Sequence, residues 1–382
     1  MEITGRQKIE AVLSGDGTPE IGVVICYEDI FIRDHWKELT SLPWWFRESP
    51  EIEEQLPWRR EIISRVNQDW FFVPFFHTRA ERQNLSLEIL PEGVFLIDKR
   101  TGRKNELREP VPGGWRFPGG IQSFHPPKLA DSPAEIDEAI PFPDEFNGGK
   151  HPPEGADDLA KRLQAEFGKK LFPVSHVPSP FRSLYNIWGF EGTMRMVAEK
   201  PELVKYAGER FLSLSLNTVG ETAALGAAGV WIEEWMTDMI SPDSFASLNL
   251  PLMRQLVEEI RSAGMKSIYY FCGNPAGKWE QILSIGADAL AFEESKKGFT
   301  INIENVAEKV NGHCALLGNL DAIGILQNGT DEELKKEIRR QIAAGRKNKN
   351  RFILSLGSPV TPHTPINRVH LYCELGRQLG KN

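Results

Sequence analysis

Apolar residues come in short, almost unbroken runs along this chain, at residues 21–27, 69–74, 170–175, 229–234, 266–272, 289–292, 315–318 and 351–356. Runs that are apolar throughout, rather than alternating, mark strands buried on both faces, as in a parallel sheet covered by helices. The segments between them read as helices, at residues 50–66, 157–167, 192–224, 278–285, 303–310 and 365–379, the long one interrupted at Pro201. Two further helices carry explicit punctuation. One has Ser241 as N-cap, Pro242 at the first helical position and Gly264 just past its end; the other opens on the capping box Thr330-Asp331-Glu332-Glu333 and closes at Gly345.

Eight strands, each followed by helical or loop material, predict an α/β fold of the (β/α)8 TIM-type barrel, one decorated unit over residues 1–382 with its chemistry at the carboxyl-end face. Residues 80–155 are expected as an insertion. It begins with an antiparallel hairpin, residues 86–90 and 94–98 around Pro91-Glu92-Gly93, and continues into a Pro- and Gly-rich stretch, residues 110–155, expected as a surface excursion or lid. An open doubly wound sheet is the rival, but no G-x-G-x-x-G follows any strand and no phosphate-loop signature occurs.

Composition narrows the partners. With 45 Lys+Arg against 53 Asp+Glu, the net charge of −8 and the lack of a basic stripe argue against nucleic acid. No stretch of about 18 apolar residues offers a membrane span and the N-terminus lacks a signal pattern, so a cytoplasmic protein without membrane contact is expected. The four cysteines, Cys26, Cys272, Cys314 and Cys373, contain no C-x-x-C and read as reduced thiols. A homodimer is compatible with all of this.

Candidate chemistry collects at predicted strand ends. Cys272 ends the run Lys266-Ser267-Ile268-Tyr269-Tyr270-Phe271 and is followed by Gly273-Asn274, although a cysteine there is equally well a small core residue. The first strand delivers Tyr27, Glu28 and Asp29 to a loop. Glu28, Asp29, Asp98, Asp321 and His363 are candidates for acid–base work, each with a structural role as the competing reading; Asp321 in Gly-Asn-Leu-Asp is equally a turn holder. His313-Cys314 precedes its strand and falls at the opposite end of the barrel. The aromatic residues Tyr27, Trp44, Trp45, Trp70, Trp231, Trp235, Tyr269 and Tyr270 suit the wall of a site for an aromatic ether or a quaternary ammonium, with Trp231 equally explained as barrel filling.

Ile240-Ser241-Pro242-Asp243-Ser244-Phe245, Phe271-Cys272-Gly273-Asn274, Leu317-Gly318-Asn319-Leu320-Asp321 and Leu356-Gly357-Ser358-Pro359-Val360-Thr361-Pro362-His363-Thr364-Pro365-Ile366-Asn367 occur in an order that resembles the uroporphyrinogen decarboxylase superfamily. Gly189-Phe190-Glu191-Gly192 with Lys200-Pro201-Glu202 is similar to that superfamily's substrate-side helix pair, and the likeness covers residues 170–380 best. The resemblance implies a (β/α)8 barrel with two occupations: decarboxylation of uroporphyrinogen, or methyl transfer to corrinoid proteins, usually with zinc. The decarboxylase branch grips carboxylates with an arginine-rich segment after the first strand, where this chain has Glu28 and Asp29, two charges that repel such a substrate.

The methyltransferase branch binds zinc through a His-x-Cys pair and a later Cys; here Tyr270 and Ser358 stand at two of those positions, leaving Cys272. The resemblance implies zinc, and because the loops of a barrel converge, a site of Cys272 with Glu234 and Glu294 from neighbouring strand ends is physically possible; the competing reading makes both glutamates ion-pair or helix-capping residues with no metal. Tyr270 joins Glu28, Asp29, Asp321 and His363 as catalytic candidates, and Tyr27, Trp45, Trp70, Trp235, Asn274 and Ser358 are expected to bind substrate. The expected function is transfer of a methyl group from a small O-, N- or S-methylated compound to a corrinoid protein, the cobalamin being carried by that partner because this chain has no D-x-H-x-x-G pattern. A decarboxylase-type lyase using Arg182 or Arg195, and a non-catalytic binding barrel, are the alternatives.

Overall fold

The computed structural model describes residues 3–113, 125–126, 128–142, 153–295 and 298–381. Its main sheet holds eight parallel strands in the order β1 (Gly22–Val23), β11 (Phe352–Leu354), β10 (Ala315–Leu317), β9 (Ala289–Phe292), β8 (Lys266–Phe271), β7 (Gly229–Glu234), β6 (Phe172–Pro178) and β2 (Trp70–Phe72). Each of the eight apolar runs supplies one strand, though the first shrinks to two residues. This is the cyclic order of a (β/α)8 barrel, with the ends of the sheet at β1 and β2.

The seam between those two strands is closed differently from the rest. Asp69 N–H donates to the Val23 carbonyl at 2.9 Å, Val23 N–H donates to Asp69 Oδ2 at 2.7 Å, and Ile25 N–H donates to Gln68 Oε1 at 2.9 Å. Side-chain acceptors thus stand in for the ladder, satisfying backbone groups that a gap would leave unpaired.

Register decides which residues look inward. Glu233 lies beside Tyr270 and Tyr270 beside Ala291, so these share the inner surface with Trp231, whose ring stacks on Tyr270 at 5.0 Å. Tyr269, Phe271 and Phe292 take the other surface, where Phe271 meets Phe245 at 6.3 Å and Phe292 meets Trp279 at 5.2 Å, both from the helical layer. Helix Ile52–Val66 sets Trp58, Ile62 and Ile63 beside Phe71 and Phe72 of β2, and the long predicted helix appears as Tyr185–Glu199 and Pro201–Ala224, parted at Pro201 as expected. The helix capped by Ser241 includes a π-helical turn at Phe245–Asn249, and the capping box at Thr330 opens Asp331–Lys347.

The first half of the chain holds the departures. The expected hairpin is a three-stranded meander, β3 (Leu85–Leu90), β4 (Gly93–Asp98) and β5 (Arg103–Leu107). The third strand escapes a hydrophobicity reading because Arg103-Lys104-Asn105-Glu106-Leu107 is almost wholly polar and exposed. A short helix, Glu28–Asp34, follows β1 directly, and another, Pro133–Ala139, lies within the stretch expected to lack periodicity, pinned by the Ser132 cap and buried Ile136. The remainder of the expected lid, residues 114–124, 127 and 143–152, lies outside the described residues. No helix among the described residues is long and apolar enough to cross a membrane.

Candidate active site

Strand alternation continues into the loops at the carboxyl ends and sorts their polar residues. Glu233 follows Trp231 on the inner side, where it accepts a hydrogen bond from the Tyr27 hydroxyl at 2.9 Å and lies 3.0 Å from Arg182 Nε. Tyr27 reaches it from a left-handed backbone conformation (φ 55°, ψ 49°), which is strained for a bulky residue and turns the ring across the mouth. There the ring sits edge-on to Tyr270 at 5.6 Å and to Trp231 at 6.0 Å.

Beside Tyr27 is a small recess walled by Ile25, Tyr27, Trp70, Phe72 and Val174, with Glu28, Asp29 and His176 as its polar groups. His176 keeps much of its surface open to solvent although the barrel surrounds it, because it lines this hollow. Its ring lies 5.2 Å from Phe72 and 6.4 Å from Trp231, and neither ring nitrogen has a hydrogen-bond partner among the described residues.

Enclosure shifts the titrating groups. Burial, seconded by the charge of Asp29, pushes the Glu28 carboxyl up to about 8, against the pull of Arg59, the Phe72 N–H and Gln68. Burial lowers His176, with Asp29 and Glu233 opposing and Arg182 reinforcing. The Cys272 thiol is raised well above its ordinary value, first by burial and then by Glu233 and Glu293, while hydrogen bonds with Tyr270 and Tyr27 pull the other way. At neutral pH the site therefore presents neutral imidazole, a mainly protonated Glu28 carboxyl, a protonated thiol and protonated tyrosines.

Several expected site residues meet here: Tyr27, Glu28, Asp29, Trp70, Tyr270 and Cys272. Others do not. Glu234, one residue beyond Glu233, points into the helical layer; it is fully buried, accepts from Ser179 Oγ at 2.9 Å, and its carboxyl is pushed up to about 8 by burial. Glu294 is buried and accepts from Ser358 Oγ at 2.6 Å, which assigns both residues to one internal hydrogen bond.

Asn274 is exposed and holds a turn through Ala276 N–H at 3.0 Å. Asp321 caps the π-helical turn Ala322–Gln327, accepting from Ile323 and Gly324 at 2.9 Å, and Asp98 likewise holds a turn at Arg100. His363 is exposed, and Trp45 lies on the 3₁₀ turn Trp44–Glu48 with its ring against Trp44, away from the cavity wall. Trp235 is half-buried against Tyr185 at 5.0 Å, with Arg182 over its ring. Arg195 pairs with Glu199 on the exposed face of its helix.

The zinc that the resemblance implies does not fit these residues. Among the described residues no three His, Cys, Asp or Glu side chains converge as a ligand set, and the expected trio is dispersed: Cys272 inside, Glu234 among the helices, Glu294 on Ser358.

His176 and Glu233 are the residues the sequence reading passed over. The signal was available: with Val174 inward on β6, the period of two puts His176 inward at the strand's carboxyl end, and the same parity from Trp231 selects Glu233 over Glu234.

Known proteins agree with this architecture. A methyltransferase from Methanosarcina mazei superposes with a TM-score of 0.65 at 15% identity, covering 99% of both chains, a likeness of fold. Uroporphyrinogen decarboxylase 2 of Arabidopsis thaliana chloroplasts is 24% identical over 330 residues, 80% of this chain and 77% of that one, and the uroporphyrinogen decarboxylase of Hordeum vulgare is 24% identical over 322 residues, 80% and 91%. Residues 124–379, well over half of the sequence, match the profile described as uroporphyrinogen decarboxylase (URO-D), so the chain belongs to the uroporphyrinogen decarboxylase family.

Proposed function

We infer that this member of the URO-D family is a methyltransferase that takes a methyl group from a small methylated compound and passes it to a corrinoid carried by a separate protein. The observation that carries the reading is the character of the cavity: Tyr27, Trp70 and Phe72 line it, and its first-strand loop offers Glu28 and Asp29 where a polycarboxylate would need cations. The fold likeness to the Methanosarcina methyltransferase supports it.

In this reading the corrinoid supplies the nucleophilic cobalt that accepts the methyl group. The chain's own part is to bind and orient the donor. Tyr27, Trp70 and Phe72 enclose the methylated end, Tyr27 being fixed by its bond to Glu233. Exclusion of water and alignment of the methyl carbon toward the open mouth lower the barrier by removing orientational freedom before reaction. Mixing the protein with a reduced corrinoid protein and a panel of methoxyaromatics, methylamines and methyl thioethers should convert the cobalt(I) absorption to that of methyl-cobalt for at least one donor. Conversion by none of them overturns the reading.

A second reading, a decarboxylase-type lyase acting on another carboxylated substrate, is favoured by one observation: Arg182 stands partly exposed at the mouth, where a carboxylate would arrive. Its guanidinium is already engaged by Glu233, which weakens it as an anion receptor. Under this reading Arg182→Glu abolishes release of carbon dioxide from a carboxylated substrate; under methyl transfer no such release occurs in either protein.

A further inference from the structure

The cavity combines three features that together select a ligand charge. Its walls are the rings of Tyr27, Trp70 and Phe72, with Trp231 packed edge-on beneath Trp70 at 5.9 Å. Its acidic groups are Glu28 and Asp29, with Glu233 held behind Tyr27. Its one histidine is neutral, with both nitrogens unpartnered among the described residues. Glu28 Oε2 is likewise enclosed without a hydrogen-bond partner.

A neutral ligand would drive water from the Asp29 carboxylate, and from Glu28 where it is ionised above about pH 8, and return nothing to either. An anion would be repelled. A cation whose charge is spread over methyl groups satisfies both the ring faces, through their quadrupoles, and the carboxylates.

We propose that this cavity is a receptor for a small methylated ammonium ion, with Tyr27, Trp70 and Phe72 as its aromatic walls and Asp29 as its counter-charge, joined by Glu28 in alkaline solution. The proposal rests on the methyl-transfer reading only in making that ion the methyl donor; the binding claim stands on the cavity.

Affinity then depends on pH in a defined direction. Glu28 faces Asp29, Arg59, the Phe72 N–H and Gln68, and its carboxyl titrates near 8; His176 faces Asp29, Glu233 and Arg182, and titrates below its ordinary value. Lowering the pH through 8 neutralises Glu28, and lowering it further adds a positive charge at His176, so cation binding weakens in both steps.

The test is calorimetry on the intact chain with choline, with 3,3-dimethylbutan-1-ol as its uncharged carbon isostere, and with anisole. Choline should bind about tenfold or more tightly than the isostere, the scale of a desolvated cation–π contact. That preference should shrink from pH 9 to pH 6, and Asp29→Asn, at an exposed position that tolerates change, should reduce choline affinity several-fold and leave the isostere unaffected. Equal affinities, or tighter binding of anisole, overturn the proposal. Selective choline binding without any methylation of the corrinoid keeps the receptor and removes the methyl-transfer reading; methylation from anisole with no ammonium binding does the reverse.

Discussion

Glu233 and Glu234 are neighbours in sequence and live in different parts of the molecule. Glu233 looks into the barrel, shared between the Tyr27 hydroxyl and Arg182, and stays partly exposed. Glu234 looks into the helical layer, fully buried, with Ser179 on one oxygen and the Asn249 amide nearby. The inner carboxylate fixes Tyr27 and Arg182 at the mouth. The outer one holds the wall in place, its main chain also accepting Cys272 N–H at 2.8 Å. The side of a strand, more than the residue type, decides whether a carboxyl is chemistry or scaffold.

The largest effect expected from this contrast is on stability. Glu234→Ala strands the Ser179 hydroxyl and opens a void, and should cost about 2–4 kcal/mol in chemical denaturation, whereas Glu233→Ala should cost under about 1 kcal/mol. Equal costs would erase the distinction between the two faces.

Next in size is the pH dependence of folding. The Glu234 carboxyl titrates near 8 in the folded chain against 4.5 for the free group, so the folded state binds the extra proton between those values. Its contribution to stability is fully present below about 4.5, declines as pH rises, and is lost above about 8. Glu234→Gln cannot ionise, so its stability relative to the parent chain should rise over that interval by a few kcal/mol, on the order set by the shift. Glu28 adds a decline of the same sign in both proteins and cancels in the comparison.

A smaller effect is expected at the thiol. Glu233 helps to hold Cys272 protonated, so Glu233→Gln should speed its alkylation by iodoacetamide at pH 8 a few-fold, while Glu234→Gln leaves the rate nearly unchanged. Cys26, Cys314 and Cys373 are buried and should remain slow in all three proteins. The smallest effect is expected with metal: the dispersed trio predicts that the dialysed chain holds no stoichiometric zinc and that Cys272→Ala changes nothing in metal analysis. One zinc per chain, lost in that variant, would show that the inner and outer faces combine after all.

Much of this was legible because the periodicities are strong. Eight apolar runs gave eight strands, since a strand buried on both sides has to be apolar throughout, and helices with Ser241, Pro242 or Thr330 at their starts began where those residues satisfy free N–H groups. Strand β5 escaped because its residues are polar on an exposed sheet. The site was legible only to the level of strand ends. Adjacent glutamates such as Glu233-Glu234 look alike on paper and only strand parity separates them; His176 lies just past the expected strand 170–175, which in the structure continues three residues further, to Pro178.

The sequence by itself determined the alternation of elements, hence a parallel barrel with its chemistry at one end, because burial on two faces and helix capping are local requirements written residue by residue. Only the tertiary structure decided which strand-end side chains face each other. That depends on register across the sheet and on closure at Asp69 and Gln68, where residues more than forty positions apart complete each other's hydrogen bonds. Those long-range constraints gathered Tyr27, Glu28, Asp29 and His176 around one cavity and sent Glu234 to the wall behind it.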